Sequence, residues 1–495
     1  MIFSDKAIVC ACEDVSVHDL DDAIARGFGD IENLKRYTGL GTGPCQGKSC
    51  VVGATRHCAE RARLPREALV PFRARPPTSP TAMALYAGAP LESLPAPFAA
   101  AEKPRPPHPL RPAQPLPERA DVVIIGGGIM GLALAWNLAG AGAGKVLVLE
   151  RGYLCEGASG RNGGGVRAQW TTPTLIELAK ESIDFMGRFA QELGINVWLR
   201  KGGYLFLAHD PETVARIEKS AELQKRHGLS TRIISAGEAG EIVPELDTSR
   251  FLAASWHPDD GVVFPWPFLW GYADGARKRG AQVETFTQVT GLTVAGGRVR
   301  AVQTDRGSVA CDRVVIASGA WSPSVARLAG VALPNKPQRH EIVSSEPMKP
   351  FLGPLVSMLG TGLYFSQSMR GEIVGGMGDP DEPDGLNQAS SLRFMTRYSR
   401  ALTELIPRCG SVKLLRQWAG CYDVTPDHSP ILGETPGVAG LLQMSGFVGH
   451  GFMMAPAVAR RMAAWMGGAP DELFERFALR RFAEGRLEKE TFIIG

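Results

Sequence analysis

The chain has 495 residues, of which 44% are apolar and 21% charged. That is enough apolar material for a large core, so wholesale disorder is excluded, and the length suits roughly three domains. A net charge of +3 gives no basic excess for nucleic acid and no acidic tail. The 58 glycines and 36 prolines exceed ordinary usage and call for local explanations.

The N-terminus, MIFSDKAIVCACEDV, has no basic start leading into an apolar run, so secretion is not expected and the cytoplasm is the expected compartment. The longest charge-free stretch, 437–459, is GVAGLLQMSGFVGHGFMMAPAVA. Its glycines, proline, Gln and His favour a buried loop and helix over a transmembrane segment. Cys10, Cys12, Cys45, Cys50 and Cys58 crowd the beginning of the chain. Clustered cysteines without a secretion signal suggest metal before disulfide.

Three segments follow in order. Residues 1–60 form a small cysteine-rich unit. Ser16 with Asp19 three places on predicts a helix from Val17. A second helix is expected from Ile31 to Tyr37, ending in the glycine-rich TGLGTGPCQGKSC. Residues 61–118 read as a linker: 14 of the 36 prolines lie between Pro71 and Pro117, and PRPPHPLRPAQPLP should be extended and semi-rigid. Residues 119–495 form the main globular part. DVVIIGGGIMGLALAWNLAGAGAGKVLVLE is a buried strand, a glycine turn, an apolar helix and a second strand ending at Glu150. A helix is expected over 173–193, with Thr172 as N-cap and Pro173 in its first turn. RVVIASG (313–319) is another buried strand followed by glycine.

Gly126, Gly128 and Gly131 make a G-x-G-x-x-G turn between strand and helix. The first permits the tight turn, the second lets backbone approach a pyrophosphate, and the third allows close helix–strand packing. The helix N-terminus offers free N–H groups to the phosphates. Glu150 stands 19 residues past Gly131, where a carboxylate accepts from a ribose hydroxyl. Strand, turn, helix, strand and acid together point to a dinucleotide.

The fingerprint does not separate FAD from NAD. GASGRNGGGVRAQW (157–170), KGGYLFLA (201–208), VVIASGAWS (314–322) and SGFVGHGF (445–452) add to it. With these segments the chain resembles the amine-oxidising flavoprotein family of D-amino-acid oxidase, glycine oxidase and sarcosine oxidase. It is most similar to the flavoprotein subunits of heteromeric sarcosine oxidase and dye-linked proline dehydrogenase, over 119–495. The resemblance implies an α/β (α+β) fold, with a Rossmann-like FAD-binding domain interleaved with an antiparallel-sheet substrate domain. It implies FAD held by Gly126, Gly128, Gly131, Glu150, Arg151, Ser159, Arg161, Asn162, Gly163, Gly164, Gly319, Gly449 and Gly451. It also implies oxidation of a C–N bond beside a carboxylate, the α-hydrogen leaving as hydride to the flavin. Arg167 is then expected at the substrate carboxylate, through two parallel hydrogen bonds; a phosphate contact or an internal ion pair is the alternative. His450 and Gly451 fall where the family brings its C-terminal segment over the flavin ring, and His340 and Tyr364 are pocket candidates. Two departures stand out. Met453 occupies a place that is basic in monomeric sarcosine oxidases. Gly420 sits where those enzymes tether flavin through Cys, with Cys421 one residue away, so the FAD is expected to be non-covalent.

Cys10 and Cys12 form C-x-C; 32 residues later Cys45 and Cys50 form C-x₄-C. Four thiolates can ligate a [2Fe–2S] cluster, and CAC with TGLGTGPCQGKSC resembles the small helical domain of bacterioferritin-associated ferredoxin. The resemblance assigns the four ligands to Cys10, Cys12, Cys45 and Cys50 and leaves Cys58 as an extra thiol. Zinc is the alternative, although C-x-C departs from the usual zinc knuckle. A one-electron carrier beside a two-electron flavin favours a dehydrogenase, as in hydrogen cyanide synthase, opine oxidase and heteromeric proline or hydroxyproline dehydrogenases. It also suggests further redox subunits in a hetero-oligomer. An oxygen-using oxidase with a structural cluster and a non-catalytic redox sensor are the alternatives. Proline, hydroxyproline, sarcosine, glycine and opines all remain candidate substrates.

Overall fold

The computed structural model describes residues 7–72, 74–99, 106–112 and 114–491. Apolar burial assembles two large sheets in the globular part. In the first, parallel strands lie side by side in the order Gln282–Glu284, Val146–Leu149, Arg119–Ile125, Gly307–Ile316 and Leu441–Ser445. Parallel strands covered on both faces read as unbroken apolar runs, and Val122, Val123, Ile124, Val314, Val315 and Ile316 are all 0% exposed. The fingerprint helix Ile129–Gly140 covers one face and packs against Pro265–Lys278 and Gly451–Met466.

The second sheet has nine strands and is mostly antiparallel. Its longest pair, Lys336–Pro347 and Lys413–Val424, lies toward one edge and runs from His340↔Gly420 to Lys336↔Val424 at one end. The chain crosses between the two sheets several times, so the two are interleaved in sequence.

The expected N-terminal elements form. Ser16 caps Val17–Ala25 with a full capping box to Asp19, and Asp30 caps Ile31–Thr38. Helix Val51–Arg61 follows the glycine turn. The linker is more structured than its prolines suggest. Thr81–Ala82 pairs with Lys413–Leu414, and helix Met83–Ala87 inserts Met83, 0% exposed, beneath helix Leu392–Leu405. Apolar Met83, Leu85 and Tyr86 interrupt the proline pattern here. The remaining linker residues at 73, 100–105 and 113 lie outside the described ones.

Helix Pro173–Leu193 starts as expected, but the Thr172 side chain makes no cap bond; its hydroxyl donates to the Glu490 carboxylate at 3.4 Å instead. The charge-free stretch forms a buried strand, a turn and a buried helix. Among the described residues no helix is long and apolar enough to cross a membrane.

Candidate active site

A cavity of about 420 Å³ runs from the glycine turn to the second sheet. Gly126, Gly128, Glu150, Arg151, Ser159, Arg161, Asn162, Gly163, Gly164, Gly319, Gly449 and Gly451 line it, as do His340, Tyr364 and His450. Gly131 and Arg167 are not in its wall.

The glycine turn shows why no side chain fits. Gly126 has φ +119°, and a Cβ there would stand 2.4 Å from the Ala317 carbonyl oxygen. At Gly131 a Cβ would meet the Gly126 oxygen at 2.0 Å. Gly131 therefore acts behind the site, by letting helix and turn close. Ser159 supplies what Gly128 cannot: its hydroxyl accepts the Ile129 N–H at 3.0 Å. Glu150 accepts from the Gly127 and Gly152 N–H groups, each at 2.8 Å. Burial raises its carboxyl above the usual range, and these two N–H groups hold it back. The Arg151 guanidinium lies 4.4 Å over the Trp321 ring. Arg161 donates to the carbonyls of Glu156 and Ala419, at 2.8 and 2.9 Å, and so knits the 157–164 loop to the second sheet.

At the far end the walls are largely aromatic. His340 stacks on Tyr422 with centroids 4.7 Å apart and on Tyr364 at 5.7 Å; its Nε2 is 3.1 Å from the Tyr364 hydroxyl. Burial pushes His340 down to about 4, so the imidazole is neutral. Tyr204, Tyr422, Gln388 and Asp423 also line the cavity. These four went unrecognised in the sequence, although KGGYLFLA and RQWAGCYDVTPD contain three of them.

Arg167 was expected at the substrate carboxylate. It lies instead wholly buried behind the wall, its guanidinium 3.8 Å over the Trp170 ring and 3.5 Å from His450 Nε2. Burial lowers it from the usual arginine value, while Tyr204, Glu490 and Asp260 support its charge. Burial also drives His450 well below its normal value, Arg167 adding to the effect.

Of the N-terminal cysteines, Cys10, Cys50 and Cys58 are buried, Cys45 is half-buried and Cys12 is exposed. Among the described residues no set of three or more His, Cys, Asp and Glu side chains has metal-holding geometry. The thiols do act on one another electrostatically: Cys45 and Cys10 at Cys12, and Cys10 and Cys45 at Cys50. Burial opposes ionisation of Cys45, yet N–H groups of Ser49, Gly47 and Lys48 together with the Cys12 thiol bring it below its usual value. Gly43 makes room for this, since a Cβ there would stand 2.5 Å from Cys12 Cβ. The donor set and its N–H groups suit a thiolate-bound centre. The glycine loop docks on strand Lys413–Val424: the Gln46 amide donates to the Leu415 carbonyl, and Arg416 donates to that of Thr42. Gly420, five residues along the same strand, lines the cavity.

Residues 121–465 match the family model described as FAD dependent oxidoreductase. The chain belongs to this family of flavoenzymes. Residues 4–89 match the model described as sarcosine oxidase A3 domain. The sarcosine oxidase beta subunit of Rhodobacter capsulatus is 32% identical over 389 residues, 77% of this chain and 94% of the relative. That of Rhizobium meliloti is 31% identical, covering 75% and 90%. The crystal structure of L-proline dehydrogenase from P. horikoshii superposes with a TM-score of 0.72 at 33% identity, over 75% of this chain and all (100%) of that one. The FAD-dependent amino-acid oxidoreductase reading, the mixed α/β fold and the flavin cofactor therefore stand.

Proposed function

We propose that the chain is an FAD-dependent dehydrogenase that oxidises the C–N bond of an amino acid or secondary amino acid of the proline, hydroxyproline, sarcosine or opine kind. Electrons leave it through a [2Fe–2S] centre on Cys10, Cys12, Cys45 and Cys50. The observation that carries the reading is the docking of the cysteine-bearing loop on the strand that also walls the flavin cavity. Leu415 and Gly420 are five residues apart, about 17 Å of extended chain. Free thiols throughout the described residues suit a reducing compartment such as the cytoplasm. The beta-subunit relatives support a hetero-oligomer.

Bound FAD would supply hydride acceptance from the carbon that bears the amine. The chain does the rest. Glu150 and the glycine turn would hold the ribose and pyrophosphate. The uncharged rings of His340, Tyr364 and Tyr422 disfavour a buried ammonium, so an amine would leave its proton with solvent on entering and keep the lone pair that hydride loss requires. The tyrosine hydroxyls and the Gln388 amide offer uncharged donors to the substrate carboxylate.

An anaerobic screen of proline, hydroxyproline, sarcosine, glycine and N-carboxyalkyl amino acids for flavin bleaching, with iron and labile-sulfide assays, tests this. Bleaching by at least one of them in an iron-containing protein is expected; no bleaching by any, or stoichiometric zinc without iron, refutes it. The relatives named as oxidases favour a second reading in which oxygen is the acceptor. Peroxide formation undiminished in Cys45→Ser would establish that one.

A further inference from the structure

The turn between strand Leu441–Ser445 and helix Gly451–Met466 is strained. Gly446, Val448 and Gly449 have φ of +77°, +50° and +80°. Glycine adopts such values freely, but a β-branched residue there must be held by its surroundings. The turn is clamped twice. On one side the Asp423 carboxylate accepts the Gly446 N–H at 2.6 Å, and the backbone of Phe447 and Val448 also favours its charged form.

On the other side stands His450. Its backbone N–H closes the turn onto the Phe447 carbonyl at 2.8 Å, the Val448 backbone supports the charge of its ring, and its Nε2 faces Arg167 Nη2 at 3.5 Å. A guanidinium has donors only, so Nε2 must present its lone pair and the proton must sit on Nδ1. Trp170 completes the group. Its ring meets His450 edge-on at 4.8 Å, and its indole N–H donates to the Arg167 carbonyl at 3.1 Å. Arg167 thus touches the back of His450, whose neighbours Gly449 and Gly451 line the cavity.

We infer that Arg167 is a positioning residue acting through His450: it fixes the imidazole tautomer and so holds the strained Val448–Gly449 turn against the bound flavin, rather than gripping the substrate carboxylate. This rests on the reading of the cavity as the flavin site. It predicts that Arg167 and His450 act as one unit on the flavin.

The reduction potential of bound FAD, measured anaerobically against reference dyes, tests this without turnover. Arg167→Met is expected to weaken the preference for reduced over oxidised flavin at least tenfold, about 30 mV for a two-electron couple. His450→Asn should shift it in the same direction, and the double variant should shift it no further than one single change. Arg167→Lys, which can still donate to Nε2, should recover part of the shift. An unmoved potential in Arg167→Met, or shifts that add in the double variant, overturns the inference. Should Arg167→Met not fold, Arg167→Lys is compared with and without His450→Asn. A shift only when His450 is present supports the relay; equal shifts overturn it. A wild-type protein that holds no flavin overturns the cavity reading itself, whereas bound flavin with additive shifts overturns only the relay.

Discussion

Arg36 of the cysteine module donates to the Tyr153 hydroxyl at 3.1 Å, a contact spanning 117 residues of sequence. Tyr153 lies three places after Glu150, so the module is fastened to the loop that leaves strand Val146–Leu149. The guanidinium also lies 4.7 Å over the Trp266 ring, and beside it Phe28 and Tyr37 pack on Trp270 at 5.1 and 5.2 Å. Glu32 neutralises both Arg36 and Lys35; although burial would raise its carboxyl, the two cations hold it far below the usual range. Burial brings Lys35 down to about 7.

Removing one partner from such a buried group leaves charge without compensation, so Arg36→Met should loosen the docked module by on the order of 3 kcal/mol. Limited proteolysis within 61–118 is the readout. Faster cleavage there, with 119–495 staying resistant, is expected; an unchanged cleavage pattern would show that Arg36 does not fasten the module.

Glu150 should control flavin affinity. Its two oxygens each accept an N–H at 2.8 Å, and an amide in its place would turn an NH₂ toward one of them. A hydrogen bond to a charged group is worth about 1.5–3 kcal/mol, so Glu150→Gln should weaken FAD binding about 10- to 100-fold. Flavin fluorescence released on dilution measures this. Gly131→Ala should be worse, because its Cβ would meet the Gly126 oxygen at 2.0 Å. It is expected to yield protein without flavin, and a fully loaded Gly131→Ala protein would contradict the geometry.

Glu150 and the glycines were legible in sequence because a dinucleotide turn imposes its demands on neighbouring residues. The same holds for Ser16 and Asp19, whose roles at a helix start are local. Arg167 shows where such reading ends. Its motif placed it near the flavin, but only the packing of Trp170 and His450 decides whether the guanidinium faces the cavity or its rear. Tyr204, Gln388 and Tyr422 come from strands or loops far apart in sequence, so no spacing could join them. Met83 shows the reverse case: a few apolar residues in a proline-rich segment sufficed to build a strand and helix against the second sheet.

Two buried carboxyls give the fold a pH dependence. Asp260, 0% exposed, accepts the Ala168 N–H at 2.7 Å, and burial pushes it up to about 7; Asp423 is likewise pushed up to about 6. A carboxyl raised in the folded state favours the protonated form there. Its stabilising effect is complete below about pH 4 and is lost as pH rises through 6 to 7. Taken alone, a rise at Asp260 from 3.8 to about 7 amounts to on the order of 4 kcal/mol between these limits. Asp260→Asn should therefore flatten the melting temperature between pH 5 and 8 compared with the wild-type chain. Parallel curves for the two proteins would show that Asp260 does not titrate in this range.

The flavin should come away without covalent attachment. Gly420 offers no sulfur; a Cβ there would point at Arg161 Cβ and Ala158 Cα, 3.5 and 3.7 Å away. The adjacent Cys421 thiol donates to the Asn387 carbonyl at 3.4 Å. Successive side chains of a strand project from opposite faces, so moving the cysteine by one position turns it from the Arg161 side of the strand to the Asn387 side. Acid precipitation is expected to leave all the flavin in the supernatant, with Cys421→Ala releasing the same amount. Flavin retained in the wild-type pellet and lost from that of Cys421→Ala would show that the thiol swings round to form the bond.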